Sequence, residues 1–139
     1  MAEPALHHVG YVVSSIALSI DGWRSAVSPV SVSPAFEDII QGARVIFLDL
    51  PAPAIKLELI EPLGPQSPVA AFERKGGGLH HLCFEVDDLD QQISKMKAFK
   101  AMLIRHPQPA IAFGGRRIAW MRTREKLLVE YLERARNQV

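Results

Sequence analysis

Leu6–Val13 passes from the polar pair His7-His8 into an apolar run that closes on the β-branched pair Val12-Val13, as a strand does. Alternation sets His8, Gly10 and Val12 on one face and His7, Tyr11 and Val13 on the other. The period then lengthens. Ile16, Ile20, Trp23 and Val27 recur at spacings of four, three and four, which predicts a helix over Ile16–Val27 against the weak helix preference of Gly22 and several serines. Ser28-Pro29 ends it. Val30–Ser33 reads as a short strand, and Pro34 with Glu37-Asp38 as a loop or edge before Gln41-Gly42. Arg44–Leu50 and Ile55–Glu61 are predicted partner strands joined by the Pro51-Ala52-Pro53 turn, since proline has no amide to give to a central ladder. Within the second of them, Lys56, Glu58 and Ile60 share one face, while Leu57, Leu59 and Glu61 take the other.

Pro62–Pro68 bends at Gly64-Pro65, and Val69–Lys75 forms a short connecting helix. Gly76-Gly77-Gly78 lacks a nucleotide-binding fingerprint and the helix such a loop feeds, so it reads as a linker rather than a phosphate cradle. Beyond it the opening pattern returns: Leu79–Val86, LHHLCFEV, matches Leu6–Val13, LHHVGYVV, in register. Asp87 or Asp88 caps a helix whose stripe is Leu89, Ile93 and Met96. A short strand over Met102–Arg105 follows, then a connection at Pro107 and Pro109, then strands over Arg116–Arg122 and Leu127–Glu133. Arg134–Val139 reads as a polar tail with an apolar end. Each half is therefore written β-α-β-β-β, with eight strands in all. The expected class is α+β: duplicated βαβββ modules, about residues 6–61 and 79–133 of a single domain spanning 1–139, form curled, mostly antiparallel sheets around a central hollow. A parallel Rossmann sheet would need βα units throughout.

Composition narrows the function class. A 139-residue chain with 48% apolar and 22% charged residues and a formal charge of +1 is long enough for one substantial core, and is neither a disordered segment nor a strongly basic nucleic-acid binder. It carries no aromatic-basic pattern or DNA-binding motif, so nucleic acid is not an expected partner. Cys83 has no second cysteine to pair with, so packing must supply the framework. Met1–Pro4 does not open a signal peptide and no run approaches ~20 apolar residues, so no membrane partner and a cytoplasmic location are expected.

The repeat also spaces chemistry. His8 is followed 50 residues later by Glu58, and His81 is followed 49 residues later by Glu130. Two imidazoles and two carboxylates facing each other would suit one divalent metal ion, with Co, Zn, Ni, Mn and Mg all compatible with the mixed nitrogen and oxygen set. Taken singly, each glutamate reads as a surface strand residue, and His8 and His81 read equally as ligands or as satisfied structural histidines. Their matched spacing favours the ligand reading. His7 and His80 point to the opposite face, where exposure or a supporting hydrogen bond is expected. Cys83 shares the face of His81 and Glu85 and reads as packing; Phe113 and Trp120 read as core or pocket wall; Glu61 and Glu133 read as rim salt bridges.

The stretches LHHVGYVV, KLELIEPLGPQSPVAAF, GGGLHHLCFEVDDLD, FGGRRIAWM and LLVEYLE, in this order across nearly the whole chain, resemble the vicinal oxygen chelate superfamily and most closely its methylmalonyl-CoA epimerase family. The resemblance implies metal ligands at His8, Glu58, His81 and Glu130, with Glu58 at a position where some relatives carry Gln. It implies epimerisation of methylmalonyl-CoA or a related acyl-CoA by removal and return of the α-proton, with Glu130 as the first proton-transferring carboxylate. Arg44–Leu50 has no glutamate where some epimerases carry a second acid–base residue, and Glu58 is the substitute. Residues 14–43 depart from the family pattern: Ser14-Ser15 replaces the usual Pro-Asp-type turn.

The same four ligands also fit a glyoxalase I-like lactoylglutathione lyase, and a non-enzymatic small-molecule binder of the same fold is a third reading. Arg116-Arg117 with Lys95, Lys97 and Lys100 would meet the phosphates of a CoA thioester if clustered, and read otherwise as solvated faces. The resemblance further implies a homodimer.

Overall fold

The computed structural model describes residues 3–135, so positions 136–139 of the expected tail lie outside the described residues. These residues divide into two compact units, one made of the residues up to His7 with those from His81 onward, the other of His8–His80. The division falls inside each HH pair. Among the described residues no helix is long and apolar enough to cross a membrane.

The first module runs β1 (Ala5–Val12), α1 (Ile16–Val27), β2 (Ser31–Val32), β3 (Phe36–Asp38), β4 (Ala43–Asp49) and β5 (Lys56–Pro62), and α2 (Ala70–Arg74) follows it. β1 lies parallel to β5, β5 antiparallel to β4, and β4 antiparallel to both β2 and β3. The helix boundaries come out where the pattern set them. Ser15 Oγ accepts from the Leu18 amide at 3.2 Å, and Ser28 takes a left-handed conformation with its amide on the Arg24 carbonyl before Pro29 stops the chain. One face of the strands buries Val13, Ile16, Ile46, Leu48, Leu57 and Leu59, with Tyr11, Ile20, Trp23 and Val27 packed against them. Fully burying a leucine such as Leu48 or Leu59 contributes about 1.5–3 kcal/mol. That layer occupies one face, so Glu58 and the other even positions of β5 are left for the opposite one.

The second module runs β6 (Gly78–Val86), α3 (Leu89–Ala98), β7 (Met102–Pro109), β8 (Arg117–Arg122) and β9 (Leu128–Glu133). Its pairings repeat the scheme: β6 is parallel to β9, β9 antiparallel to β8, and β8 antiparallel to β7. Asp88 caps α3 by accepting from the Gln91 amide at 2.9 Å. Leu89 and Ile93 of α3 pack against Val86, Ala119, Met121, Val129 and Tyr131. A second apolar group joins Cys83, Ile118, Trp120 and Leu132, from the alternate positions of the same strands, to Ala110 and Phe113 of the connection between β7 and β8. The buried, packed Cys83 matches its expected role.

The α+β class and the duplicated modules stand, with two corrections. Among the described residues there are nine strands rather than eight, because Phe36–Asp38 pairs with β4 as an edge strand. The strand expected to stop at Arg105 continues to Pro109. β7 is an outer strand whose register shifts at Leu103/Arg105 and Arg105/Gln108, and an edge strand accommodates the missing amides of Pro107 and Pro109. The linker glycines have a steric reason at Gly77: its φ is +69° and a Cβ there would lie 2.5 Å from the Val12 carbonyl oxygen, so only glycine lets the chain pass β1 this closely.

Candidate functional site

β5 presents Glu58 between Phe47 of β4 and Gly10 of β1, its cross-strand neighbours on either side. Gly10 has no side chain to fill the space beside it. His8, two residues earlier on β1, projects to the same face and brings Nε2 to 3.2 Å from Glu58 Oε1. His8 is 0% exposed and Glu58 6%. The Phe47 ring packs edge-on against His8, with centroids 5.6 Å apart.

The second module rebuilds this arrangement with different neighbours. Glu130 of β9 lies between Trp120 of β8 and Cys83 of β6, and His81 Nε2 stands 3.2 Å from Glu130 Oε1. Trp120 packs edge-on against His81 with centroids 4.6 Å apart. Each predicted histidine thus meets the glutamate of its own module, and all four residues are buried. The aromatic partner directly opposite each glutamate was not singled out by spacing. Phe47 and Trp120 are separated by 73 positions, as are His8 and His81, so the repeat carried the signal.

A buried carboxylate needs a proton donor or a cation close by. An Nε2–Oε1 separation of 3.2 Å serves either a charge-assisted hydrogen bond or two ligand atoms on one ion. With metal–ligand bonds of about 2.1 Å, adjacent ligand atoms lie about 3.0 Å apart in an octahedron and about 3.4 Å in a tetrahedron. Both pairs fall in that range. Within each pair, one nitrogen and one oxygen suit a borderline divalent ion and match no copper(I) preference.

The remaining candidates sort by partner. His7 and His80 are half-buried against aromatic rings, His7 on Phe113 at 5.5 Å and His80 on Phe72 at 4.9 Å. Glu61 and Glu133 form the expected salt bridges, Glu61 with Arg44 at 2.7 Å and Glu133 with Arg117 at 2.5 Å. The hydrogen bond with Glu37, then the nearby charges of Glu61 and Glu37, raise the Arg44 pKa; the hydrogen bond with Glu133 chiefly raises that of Arg117. Arg116 bridges to Glu85 at 2.9 Å, and Lys95, Lys97 and Lys100 lie exposed around the end of α3.

Residues 7–120 match the family model of the glyoxalase/bleomycin resistance protein/dioxygenase superfamily. The chain belongs to this superfamily. Among its superfamily relatives, the ethylmalonyl-CoA/methylmalonyl-CoA epimerase of Cereibacter sphaeroides is 30% identical over 122 residues, covering 86% of this chain and 89% of that one. The uncharacterised protein YqjC of Bacillus subtilis is 33% identical over 132 residues, covering 92% and 91%. The crystal structure of methylmalonyl-CoA epimerase from Mycobacterium tuberculosis superposes with a TM-score of 0.82 at 24% identity, covering 94% of this chain and 88% of that one, and shows the shared superfamily fold.

Proposed function

We propose that the two pairs, His8/Glu58 and His81/Glu130, together hold one divalent metal ion, and that the protein epimerises methylmalonyl-CoA or a related acyl-CoA. The observation that carries this reading is a buried His–Glu pair repeated at 3.2 Å in both modules of a chain 30% identical to such an epimerase. Because each module supplies one nitrogen and one oxygen, the reading makes a single functional domain of 1–139.

When bound, the ion supplies positive charge that stabilises negative charge developing on substrate oxygen. The chain's own residues handle the proton. Epimerisation needs a base on one face of the α-carbon and an acid on the other, and Glu130 and Glu58 are the two carboxylates assigned to these faces, Glu130 being the preferred assignment. In each, Oε1 is turned to the histidine, and Oε2 is assigned the proton. Phe47 and Trp120, packed on the imidazole rings, exclude water from the donor side of each pair.

The test is incubation of metal-loaded protein with one methylmalonyl-CoA epimer in deuterated water. The expected result is loss of configuration together with deuterium at the α-carbon; absence of both, beside an active control epimerase, overturns the reading. The superfamily match also favours a glyoxalase I-like lyase as second reading. Turnover of the methylglyoxal–glutathione hemithioacetal without acyl-CoA epimerisation would select it, and tight ligand binding without either turnover would select a non-enzymatic binder. The proposed working form is a homodimer in the cytoplasm, and light scattering over a concentration series that finds only monomer would reject the dimer.

A further inference from the structure

Three consecutive rungs of the first module's sheet face carry the site and what adjoins it. His8, Lys56 and Asp49 lie side by side on one rung; Gly10, Glu58 and Phe47 on the next; Val12, Ile60 and Val45 on the third. Lys56 therefore projects on the face of Glu58, two residues away, and its α-carbon neighbours that of His8 across about 4.8 Å. His8 is 0% exposed, whereas the Lys56 side chain is 38% exposed. A partly exposed cation thus shares the sheet face of the buried pair.

The lysine is held there. Its Nζ lies 2.5 Å from Asp49 Oδ1, and Asp49 Oδ2 accepts from Ser31 Oγ at 2.5 Å. Ser31 and Asp49 are themselves cross-strand partners in β2 and β4, so a three-residue chain holds one ammonium on the sheet face that carries Glu58. An ammonium has three donors, and Asp49 is its one ion-pair partner among the described residues, which leaves donor capacity for an incoming anion. Among the described residues, the second module does not repeat the Lys56–Asp49 pair. Leu128 stands two residues before Glu130, where Lys56 stands before Glu58, and Arg122 takes the position opposite it that Asp49 takes in the first module.

We propose that Lys56 is a specificity-determining residue that binds a carboxylate on the acyl group, so that the protein selects carboxylated acyl-CoA esters over uncharged ones. This rests on the acyl-CoA reading above. A substrate with one carboxylate and one thioester is unsymmetric, and a pseudo-symmetric pair of His–Glu units cannot orient it without a feature present on one side alone. Lys56 is such a feature, and Asp49 is its positioning residue.

The test measures calorimetric affinity for malonyl-CoA and propionyl-CoA, which differ by the carboxylate, on cobalt-loaded native protein and on the Lys56→Met, Lys56→Arg and Asp49→Asn variants, with circular dichroism as the check of folding. Native protein is expected to prefer malonyl-CoA. Lys56→Met should weaken malonyl-CoA by about tenfold or more, as for loss of a charge-assisted hydrogen bond, and leave propionyl-CoA unchanged. Lys56→Arg should restore most of the preference, and Asp49→Asn should retain part of it. Equal affinity of native protein for the two esters, or a preference that survives Lys56→Met, overturns the role of Lys56 and leaves the acyl-CoA reading standing. Failure of native protein to bind either ester overturns both. If Lys56→Met does not fold, the Asp49→Asn preference decides: an unaltered ratio rejects the arrangement.

Discussion

The two modules agree where a strand ladder or a His–Glu pair demands agreement, and differ at the ends of the same faces. Arg44/Glu61 and Arg117/Glu133 repeat on the outside, Phe47/Glu58 and Trp120/Glu130 repeat on the inside, and Ser15 and Asp88 both cap the helix after the HH strand. Departures begin two positions away from each glutamate. Toward the chain start of β5 and β9, the first module has Lys56 with Asp49, and the second has Leu128 with Arg122. At the far end, the second module carries the ion pair Glu85–Arg116, whose counterparts in the first are Val12 and Ala43, both buried and apolar. Even the second strand differs: Pro34 splits it into β2 and β3 in one module, whereas β7 stays continuous through shifts of register in the other. A duplicated frame has kept paired donors and varied the surfaces that would meet an unsymmetric ligand.

The sharpest way to break this comparison is to remove one histidine from each module. His8→Ala and His81→Ala are expected to lower bound divalent metal from one equivalent to nearly none, because each deletes one of four proposed ligands from a buried position. His7→Ala and His80→Ala should cost about tenfold in metal affinity at most, since these rings pack edge-on against Phe113 and Phe72 and would act on the ion only through its ligands. Metal stoichiometry with circular dichroism decides. Retained metal in a folded His81→Ala protein rejects the joint centre, and equal loss from His80→Ala and His81→Ala rejects the distinction between the two faces.

Next in size is the division of labour between the glutamates. Glu58→Gln and Glu130→Gln would keep an oxygen for the proposed ion but lose the proposed base, so each is expected to slow α-proton exchange by about 10²–10⁴-fold. If the carboxylates serve opposite faces, each variant should still exchange one epimer's proton faster than the other's, with opposite preference. The same preference in both variants would show that one carboxylate serves both faces.

Much of this was legible because the decisive features are local. Ile16–Val27 emerged with both ends correct since Ser15 and Ser28-Pro29 close the helix by short-range chemistry. The His–Glu pairs were legible because duplication turned two weak spacings into a matched set. Features that depend on register were not. Phe47 and Trp120 acquire meaning only once β4 and β8 are aligned opposite Glu58 and Glu130, and the Lys56–Asp49–Ser31 chain needs three strands in place. Pro107 and Pro109 suggested a loop because a proline's cost depends on whether its strand is central or at the edge, which is a property of the assembled sheet.

A smaller effect is expected at the ion pair found in one module alone. Glu85 and Arg116 are each about one-fifth exposed, and Arg116 also donates to the Phe113 carbonyl at 3.3 Å. Glu85→Ala should destabilise the protein by about 1–2 kcal/mol in urea, because it leaves a partly buried guanidinium short of an acceptor. The double change Glu85→Val with Arg116→Ala copies the first module's apolar pair, and should recover most of that loss. If the double variant is less stable than Glu85→Ala alone, the apolar solution does not transfer between modules.

The smallest difference separates the two caps. Ser15 and Asp88 occupy corresponding positions and make the same bond to the amide three residues on, at 3.2 and 2.9 Å. Replacing either by alanine removes an acceptor from the first turn, which costs about 1 kcal/mol. Asp88 adds a full negative charge at the positive end of α3, so its loss should exceed that of Ser15 by roughly 0.3–1 kcal/mol at low salt. The surplus is a surface charge effect and should shrink as ionic strength rises past about 0.1 M, while the Ser15→Ala cost stays constant. Urea midpoints for both variants at low and high salt measure this; a Ser15→Ala cost that falls with salt in parallel with Asp88→Ala would show that the two caps do not differ by charge.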